Sequence, residues 1–520
     1  MSSVASSGHD LLRGLNGQSA RLFERVDNLL ESGFWPVAIA LTLILFAVLV
    51  SMDFHLKLWT DELITLHLAR LPELSQIASA AKDGADATPP LYTLLVHSIL
   101  PYSPSEAVAV RLPSTIGLCA TFLAVTAYAR RRLPAAYVII AGLLATAPTI
   151  HYGSEGRSYG LVLCFASVSL SLWSLASAGR RRGVTLPLLA ICVAAMAALH
   201  YFTLFFVVCL FLAQFVRARS ERRFDYLLAI ALLAPAAIVV AVHYPFIAAT
   251  RPLMAHNFST ASHSAVLPLY KGFLHWPIFL FAVAMLTATY SSNGRRAPSR
   301  AAADLPAHEF AALVLIVLAP AGVIGIISLT VHAFTDRYVL WTCLGIALLS
   351  AFALRIFARD NPAVDVTVLL VLIAGLSAKE ISSARHLWRE GDLMFAALSS
   401  LPDGDEPIVL ADSHDFLELS YYAPAALRQR LVYPLCPNFE LRDLGYDTDS
   451  INLAGLKRWT NLKVVPCEKA LESGVDAIVP MTPMGFLPWP LGDESVTLKP
   501  LYMDRTKILV FRARRELRNP

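Results

Sequence analysis

The sequence predicts a polytopic α-helical membrane protein of about eleven transmembrane helices with a small C-terminal α/β domain. Three observations predict it. Of 520 residues, 56% are hydrophobic and 16% charged, with a mean hydropathy of +0.56, whereas soluble domains hold about 45–50% apolar and about 25% charged residues. Apolar runs of membrane-spanning length recur as far as residue 378. Arginine clusters fall in every second loop between them, the pattern of loops that stay on the cytoplasmic side. The net charge of +4 is small and points to no nucleic acid.

The elements follow in order. Met1–Gly33 is polar, mixed in charge and without a cleavable leader pattern, so 1–34 reads as a cytoplasmic segment and the run 35–52 as a retained span. Further runs lie at 107–128, 134–150, 159–178, 184–199, 202–216, 226–246, 267–289, 310–331, 338–357 and 363–378. The continuous apolar stretch from Val184 to Val216 has arginines at both ends, which requires an even number of crossings. It therefore reads as two short helices turning at His200-Tyr201. With Arg130–Arg132, Arg180–Arg182, Arg217–Arg223, Arg295–Arg300 and Arg355/Arg359 inside, the N-terminus is cytoplasmic and the tail extracytoplasmic. Residues 35–380 form the membrane domain on this map, and 381–520 the tail domain.

The tail changes character. Short β-type runs at Ile408–Ala411, Leu431–Tyr433, Leu462–Val465, Ala477–Pro480 and Lys507–Phe511 alternate with helical stretches near Phe416–Tyr422 and Glu468–Ser473. No glycine-rich phosphate loop opens its helices, which argues against a nucleotide fold. Five of the seven cysteines lie in spans as small apolar residues, while Cys436 and Cys467 lie in the tail. In an oxidising compartment a disulfide between those two is plausible, with two free thiols left open as the alternative, and their spacing matches no zinc pattern.

Separate polar motifs converge on the outward loops. Asp61 and Glu62 head an amphipathic stretch, Leu63–Leu71. A helix cap explains one acid and leaves the second over, so the pair is a candidate catalytic group, with Asp61 as general base. Asp86 and Tyr92 flank a Pro-Pro helix start in the same loop. Glu155, Arg157 and Tyr159 lie in nine residues where a span re-emerges, and Arg337-Tyr338 precedes a late span. An arginine on the outer side runs against the cytoplasmic bias, and a guanidinium fork matches a phosphate. His256 and His263 have no carboxylate at ligand spacing, which disfavours a metal there.

An Asp-Glu pair in the first outward loop, Pro89-Pro90-Leu91-Tyr92, Glu155-x-Arg157-x-Tyr159 after the third span and Arg337-Tyr338 before a late span together resemble the GT-C class of membrane glycosyltransferases. The nearest branch is that of the protein O-mannosyltransferases and aminoarabinose transferases, and the resemblance covers about residues 35–380. It implies a GT-C-like membrane domain and an inverting glycosyltransferase of the cell envelope, with a sugar linked to a polyprenyl phosphate as donor. Asp61 is then the catalytic acid residue with Glu62 beside it, and Glu155, Arg157, Tyr159, Arg337 and Tyr338 hold the donor phosphate and shape the sugar pocket. The tail departs from the protein O-mannosyltransferases and is closer to bacterial members with a small periplasmic domain, so the acceptor stays open among glycan, lipid and protein. No cofactor is required, and a divalent metal on the first-loop acids stays open. A transporter or flippase of lipid-linked sugars would place its charges at midplane in repeated halves, and no internal repeat is visible. A non-catalytic scaffold would leave the loop motifs incidental.

Overall fold

Each of the eleven apolar runs folds as a helix, because a segment in hydrocarbon must satisfy its backbone hydrogen bonds internally. The computed structural model describes residues 21–153, 155–255, 257, 259, 262–290, 305–329, 333–358, 361–390, 405–410, 412–437, 440–441, 445–470, 475–480, 496–503 and 508–515. Helix α1 (Phe34–His55) leads into a first loop that carries α2 (Thr60–Ala69), α3 (Leu74–Lys82) and α4 (Leu91–Ile99). Then come α5 (Glu106–Ala129), α6 (Ala135–Thr146), α7 (Tyr159–Ser177), α8 (Arg182–Leu199) and α9 (Thr203–Glu221). The series closes with α10 (Tyr226–Ala255), α11 (Val266–Tyr290), α12 (Ala307–Ser328), α13 (Thr342–Ala358) and α14 (Pro362–Glu390).

Eight of them, α1, α5 and α7–α12, are long and apolar enough to cross a membrane. Helix α6 is only 12 residues long and buries 11 of them, so its apolar character comes from being enclosed by neighbouring helices. The chain is an integral membrane protein. The 184–216 stretch breaks as expected: His200 adopts extended backbone at φ −162° and ψ 119°, and Thr203 Oγ1 donates to the His200 carbonyl at 2.7 Å as α9 begins.

The bundle has two polar ends of different kinds. Helix α5, 24 residues and about 36 Å long, starts near the first loop and ends at Arg130–Arg132. At that far end Glu309 accepts from Arg132 Nη2 and Tyr128 Oη at 2.6 Å and from Ser174 Oγ at 2.8 Å. Asp225 there pairs with Arg182 and Arg217. The near end receives the first loop, the Glu155–Ser158 turn, His200 and the Asp336–Val339 turn. Helices α5 and α7 set the spacing there. A Cβ at Gly160 would meet the Ser114 carbonyl oxygen at 2.0 Å, so only glycine admits this close crossing.

The tail is built from β1 (Ile408–Leu410), α15 (Ser413–Tyr422), β2 (Leu431–Leu435), α16 (Thr448–Lys457), β3 (Val464–Pro466), β4 (Val475–Pro480), β5 (Val496–Met503) and β6 (Ile508–Arg515). They form one six-stranded sheet in the order β3-β2-β1-β4-β6-β5, parallel through β4 and antiparallel beyond. Cys436 and Cys467 are joined in a disulfide just past the ends of the paired strands β2 and β3. Strand β5 escapes the sequence pattern because Lys499 and Pro500 interrupt it, and the ladder shifts register there. Helix α16 also escapes it, because its sequence is polar and carries a glycine, Gly455. The expected Glu468–Ser473 helix is observed as Cys467–Ala470, and 471–474 lie outside the described residues.

One feature of the tail was not legible as a domain boundary. Leu63, Leu66 and Leu68 of α2 share a single hydrophobic core with Leu410, Phe416, Leu417, Leu453 and Leu456. A Cβ at Gly455 would sit 2.7 Å from the Ala85 nitrogen, so α16 rests directly on the first-loop backbone. Polar ties reinforce the contact: Leu58 N donates to Tyr422 Oη at 2.7 Å, Tyr421 Oη to Glu106 at 2.5 Å and Trp459 Nε1 to Asp83 at 3.0 Å.

Candidate active site

The two adjacent acids of α2 point different ways, because successive helical residues project about 100° apart. Glu62 occupies the third helical position and reaches back to accept from Trp59 N at 3.1 Å, capping the helix start. It is fully buried and forms a two-pronged pair with Arg111 of α5, with Nε–Oε1 and Nη2–Oε2 both 2.6 Å. Gly156 N donates to Oε1 at 2.6 Å. The other Arg111 donors reach the carbonyls of Asp53, Leu56 and Lys57 at 3.3, 2.9 and 2.8 Å. A Cβ at Gly156 would lie 2.1 Å from Val110 Cγ1, which makes glycine necessary for this approach.

Asp61 instead faces open space. Its Oδ2 accepts from Arg337 Nη1 at 3.1 Å and lies 3.7 Å from Arg157 Nε. Arg157 is committed elsewhere through its fork: Nη1 and Nη2 donate to Asp86 at 2.9 and 3.0 Å, and Nη1 also reaches Thr65 Oγ1 at 3.1 Å. Its Nε donates no hydrogen bond among the described residues. Arg337 lies over the rings of Trp59 and Tyr159, 5.7 and 6.0 Å from their centroids. Tyr338 stacks with Phe202 at 4.6 Å and His200 at 5.1 Å.

These groups wall two cavities that meet at Asp61 and Arg337. The first is lined by Asp86, Arg157, Tyr159, His200 and Tyr338, with Phe202 and Met254 as apolar surface. The second lies between α2 and the tail and is lined by Trp59, Asp412, His414, Tyr446 and Asp449. Asp61, Ile64, Arg337, Thr448 and Asn452 belong to both walls.

Of the residues singled out from sequence, Asp61, Asp86, Arg157, Tyr159, Arg337 and Tyr338 come together in the first cavity. Glu62 does not line either cavity, and its carboxylate is used up by Arg111, Gly156 and Trp59. Tyr92 is buried with its hydroxyl donated to the Val110 carbonyl at 2.7 Å, holding α4 to α5 instead of facing the cavity. Glu155 lines neither cavity. Burial pushes its carboxyl up to about 8 against the pull of Arg337. His256 lies outside the described residues, as does the side chain of His263.

Several functional neighbours were missed. Arg111 carried a signal, an arginine inside an apolar span, where charge is costly unless partnered. His200 marked only a turn, yet it lines the first cavity; burial, with Arg337 and Arg157 nearby, lowers it to about 3, so it is neutral at physiological pH. Asn257, Thr448 and Asn452 carried no signal.

Each of the three acids is paired with an arginine. Asp61 pairs with Arg337, Asp86 with Arg157 and Glu62 with Arg111. Among the described residues no three His, Cys, Asp or Glu side chains group to hold a metal ion.

Two solved structures superpose on nearly the whole chain. ArnT from Cupriavidus metallidurans bound to undecaprenyl phosphate matches with a TM-score of 0.50 at 14% identity, covering 92% of this chain and 98% of that one. ArnT from the same organism in the apo state matches with a TM-score of 0.53 at 13% identity over the same shares. The chain has the fold of ArnT. The fold expected from four short motifs is thus matched over 92% of the chain. No family model matches the sequence, and no curated protein matches it.

Proposed function

We propose that the protein is an inverting glycosyltransferase that moves a hexosyl or pentosyl group from a polyprenyl-phosphate donor to an acceptor hydroxyl. The observation that carries this reading is that Asp61 pairs with an arginine and lines two adjoining cavities. A bundle with the ArnT fold adds support, because the ArnT neighbour was solved with undecaprenyl phosphate.

The chemistry follows from the geometry. The acceptor oxygen attacks the anomeric carbon while Asp61 takes its proton. The bond from that carbon to the phosphate oxygen breaks on the opposite face, and the electron pair leaves with the polyprenyl phosphate. Arg337 is placed to meet that developing charge, since only Nη1 is used by Asp61. Arg157 has its fork tied to Asp86 and offers only Nε, which makes Arg337 the principal phosphate partner. In the free protein the Asp61–Arg337 pair keeps the base oriented, and an incoming phosphate competes for the same guanidinium.

The arginine-rich end of the bundle supports a cytoplasmic position for that end, and we infer from it that the site and the tail lie on the extracytoplasmic side of a bacterial plasma membrane. Asp61→Asn tests the assignment. Its release of sugar from a polyprenyl-phosphate donor is expected to fall about 10²–10⁴-fold, with binding of undecaprenyl phosphate retained. Turnover equal to that of the unaltered protein overturns it.

A further inference from the structure

We propose that the second cavity is the acceptor subsite and that it takes an uncharged carbohydrate in preference to a phosphorylated one. This rests on the glycosyltransferase reading above and names the acceptor class for the same site. Three features point to it.

The first is reach. Asp61 forms part of the wall of both cavities, so a hydroxyl held in the second is within reach of the base while the donor-side groups Arg157, Tyr159 and Tyr338 line only the first.

The second is charge. The first cavity balances Asp61 and Asp86 against Arg157 and Arg337, a formal sum of zero from two negative and two positive groups. The second sets Asp61, Asp412 and Asp449 against Arg337, three negative groups and one positive, with His414 beside them. Asp449 senses the others: burial, with Asp412 and Asp61 nearby, raises its carboxyl above the ordinary range despite His414 and Ser413. A phosphate on the acceptor would enter a wall that already repels anions. Sugar hydroxyls, as neutral donors, match carboxylate acceptors.

The third is unmet hydrogen bonding. Trp59 Nε1 and Asn452 Oδ1, a donor and an acceptor on residues of this wall, are both buried and make no hydrogen bond among the described residues. Buried polar atoms in native proteins are nearly always paired, so an orphan donor on the second wall and an orphan acceptor on the stretch shared by both walls mark where a ligand's polar groups belong. The Trp59 and Tyr446 rings supply the apolar surface that the C–H face of a sugar packs against. The carboxylates have capacity left as well. Asp412 caps α15 through Oδ1 alone, and Asp449 accepts from Ser413 through Oδ2.

The test uses the full-length protein in lipid nanodiscs with two matched probes, methyl β-glucopyranoside and its 6-phosphate, read by saturation-transfer NMR. The neutral probe is expected to bind and the phosphorylated one to bind at least about tenfold more weakly. In the Asp412→Asn/Asp449→Asn variant the ratio is expected to collapse toward one, since asparagine keeps the helix cap while removing charge. Retained binding of undecaprenyl phosphate verifies that the variant is folded. If that variant does not fold, Asn452→Asp, which adds a carboxylate to the same wall, is expected to widen the ratio. Equal or tighter binding of the phosphorylated probe, no binding of the neutral probe, or a ratio unmoved by the charge changes overturns the inference. Failure of the glycosyltransferase reading looks different: undecaprenyl phosphate would not bind to the unaltered protein, whatever the probes do.

Discussion

Two ion pairs separated by one peptide bond do opposite work in this protein. Glu62–Arg111 is sealed, with side chains 0% and 5% exposed and every remaining donor of the arginine met by a carbonyl. Asp61–Arg337 is open, with side chains 20% and 18% exposed and both residues lining two adjoining cavities. A sealed pair cannot exchange partners without leaving a buried charge uncompensated. An open one can, which is what substrate binding requires. Chemical likeness between neighbouring acids therefore says little about role; the number of committed hydrogen bonds says more.

That contrast can be broken by exchanging the losses. Glu62→Ala leaves Arg111 buried without its carboxylate, and the expected cost is about 3–5 kcal/mol of stability, read as a lower thermal midpoint and poor recovery of folded protein. Asp61→Ala is expected to shift that midpoint little. Equal destabilisation by the two substitutions would erase the distinction between sealed and open pairs.

A smaller effect sharpens the open side. Arg337→Ala is expected to weaken undecaprenyl phosphate binding by about 10–100-fold, in line with the loss of a charge-assisted contact of about 1.5–3 kcal/mol, while the fold persists. A larger loss from Arg157→Ala in the same binding measurement would reverse the assignment of the principal phosphate partner.

The last expected effect concerns Glu155, which lines neither cavity. Its folded value of about 8 lies above its ordinary 4.5. Between those values the folded protein keeps the proton that the unfolded chain releases, so this contribution to stability is full below pH 4.5 and is lost as pH rises through 8. Glu155→Gln mimics the protonated form and is expected to flatten the fall of the thermal midpoint across that window. An unchanged slope would show that Glu155 does not titrate there.

The legible part of the site was the part carried by residue type. Asp61, Arg157 and Arg337 stood out as charges at span ends, and they do line one cavity. Tyr92 was read from its place in a motif, and that place does not say which way a ring turns; its hydroxyl is spent on the Val110 carbonyl. The tail's share of the site could not be read at all. His414 Nδ1 lies 2.5 Å from Thr60 Oγ1 across 354 positions of sequence, and no local pattern records such a contact.

Composition and charge placement alone determined that this is a helical membrane protein, where its helices run and which ends of them carry polar groups. They do so because hydrocarbon favours apolar helices and cytoplasmic loops collect arginine. Which of two adjacent acids faces substrate was decided by helix rotation and by the arrival of Arg111 from α5. That the tail closes a second cavity was decided by the core it shares with the first loop. Both are long-range packing events, and local sequence does not encode the partner that a side chain will meet.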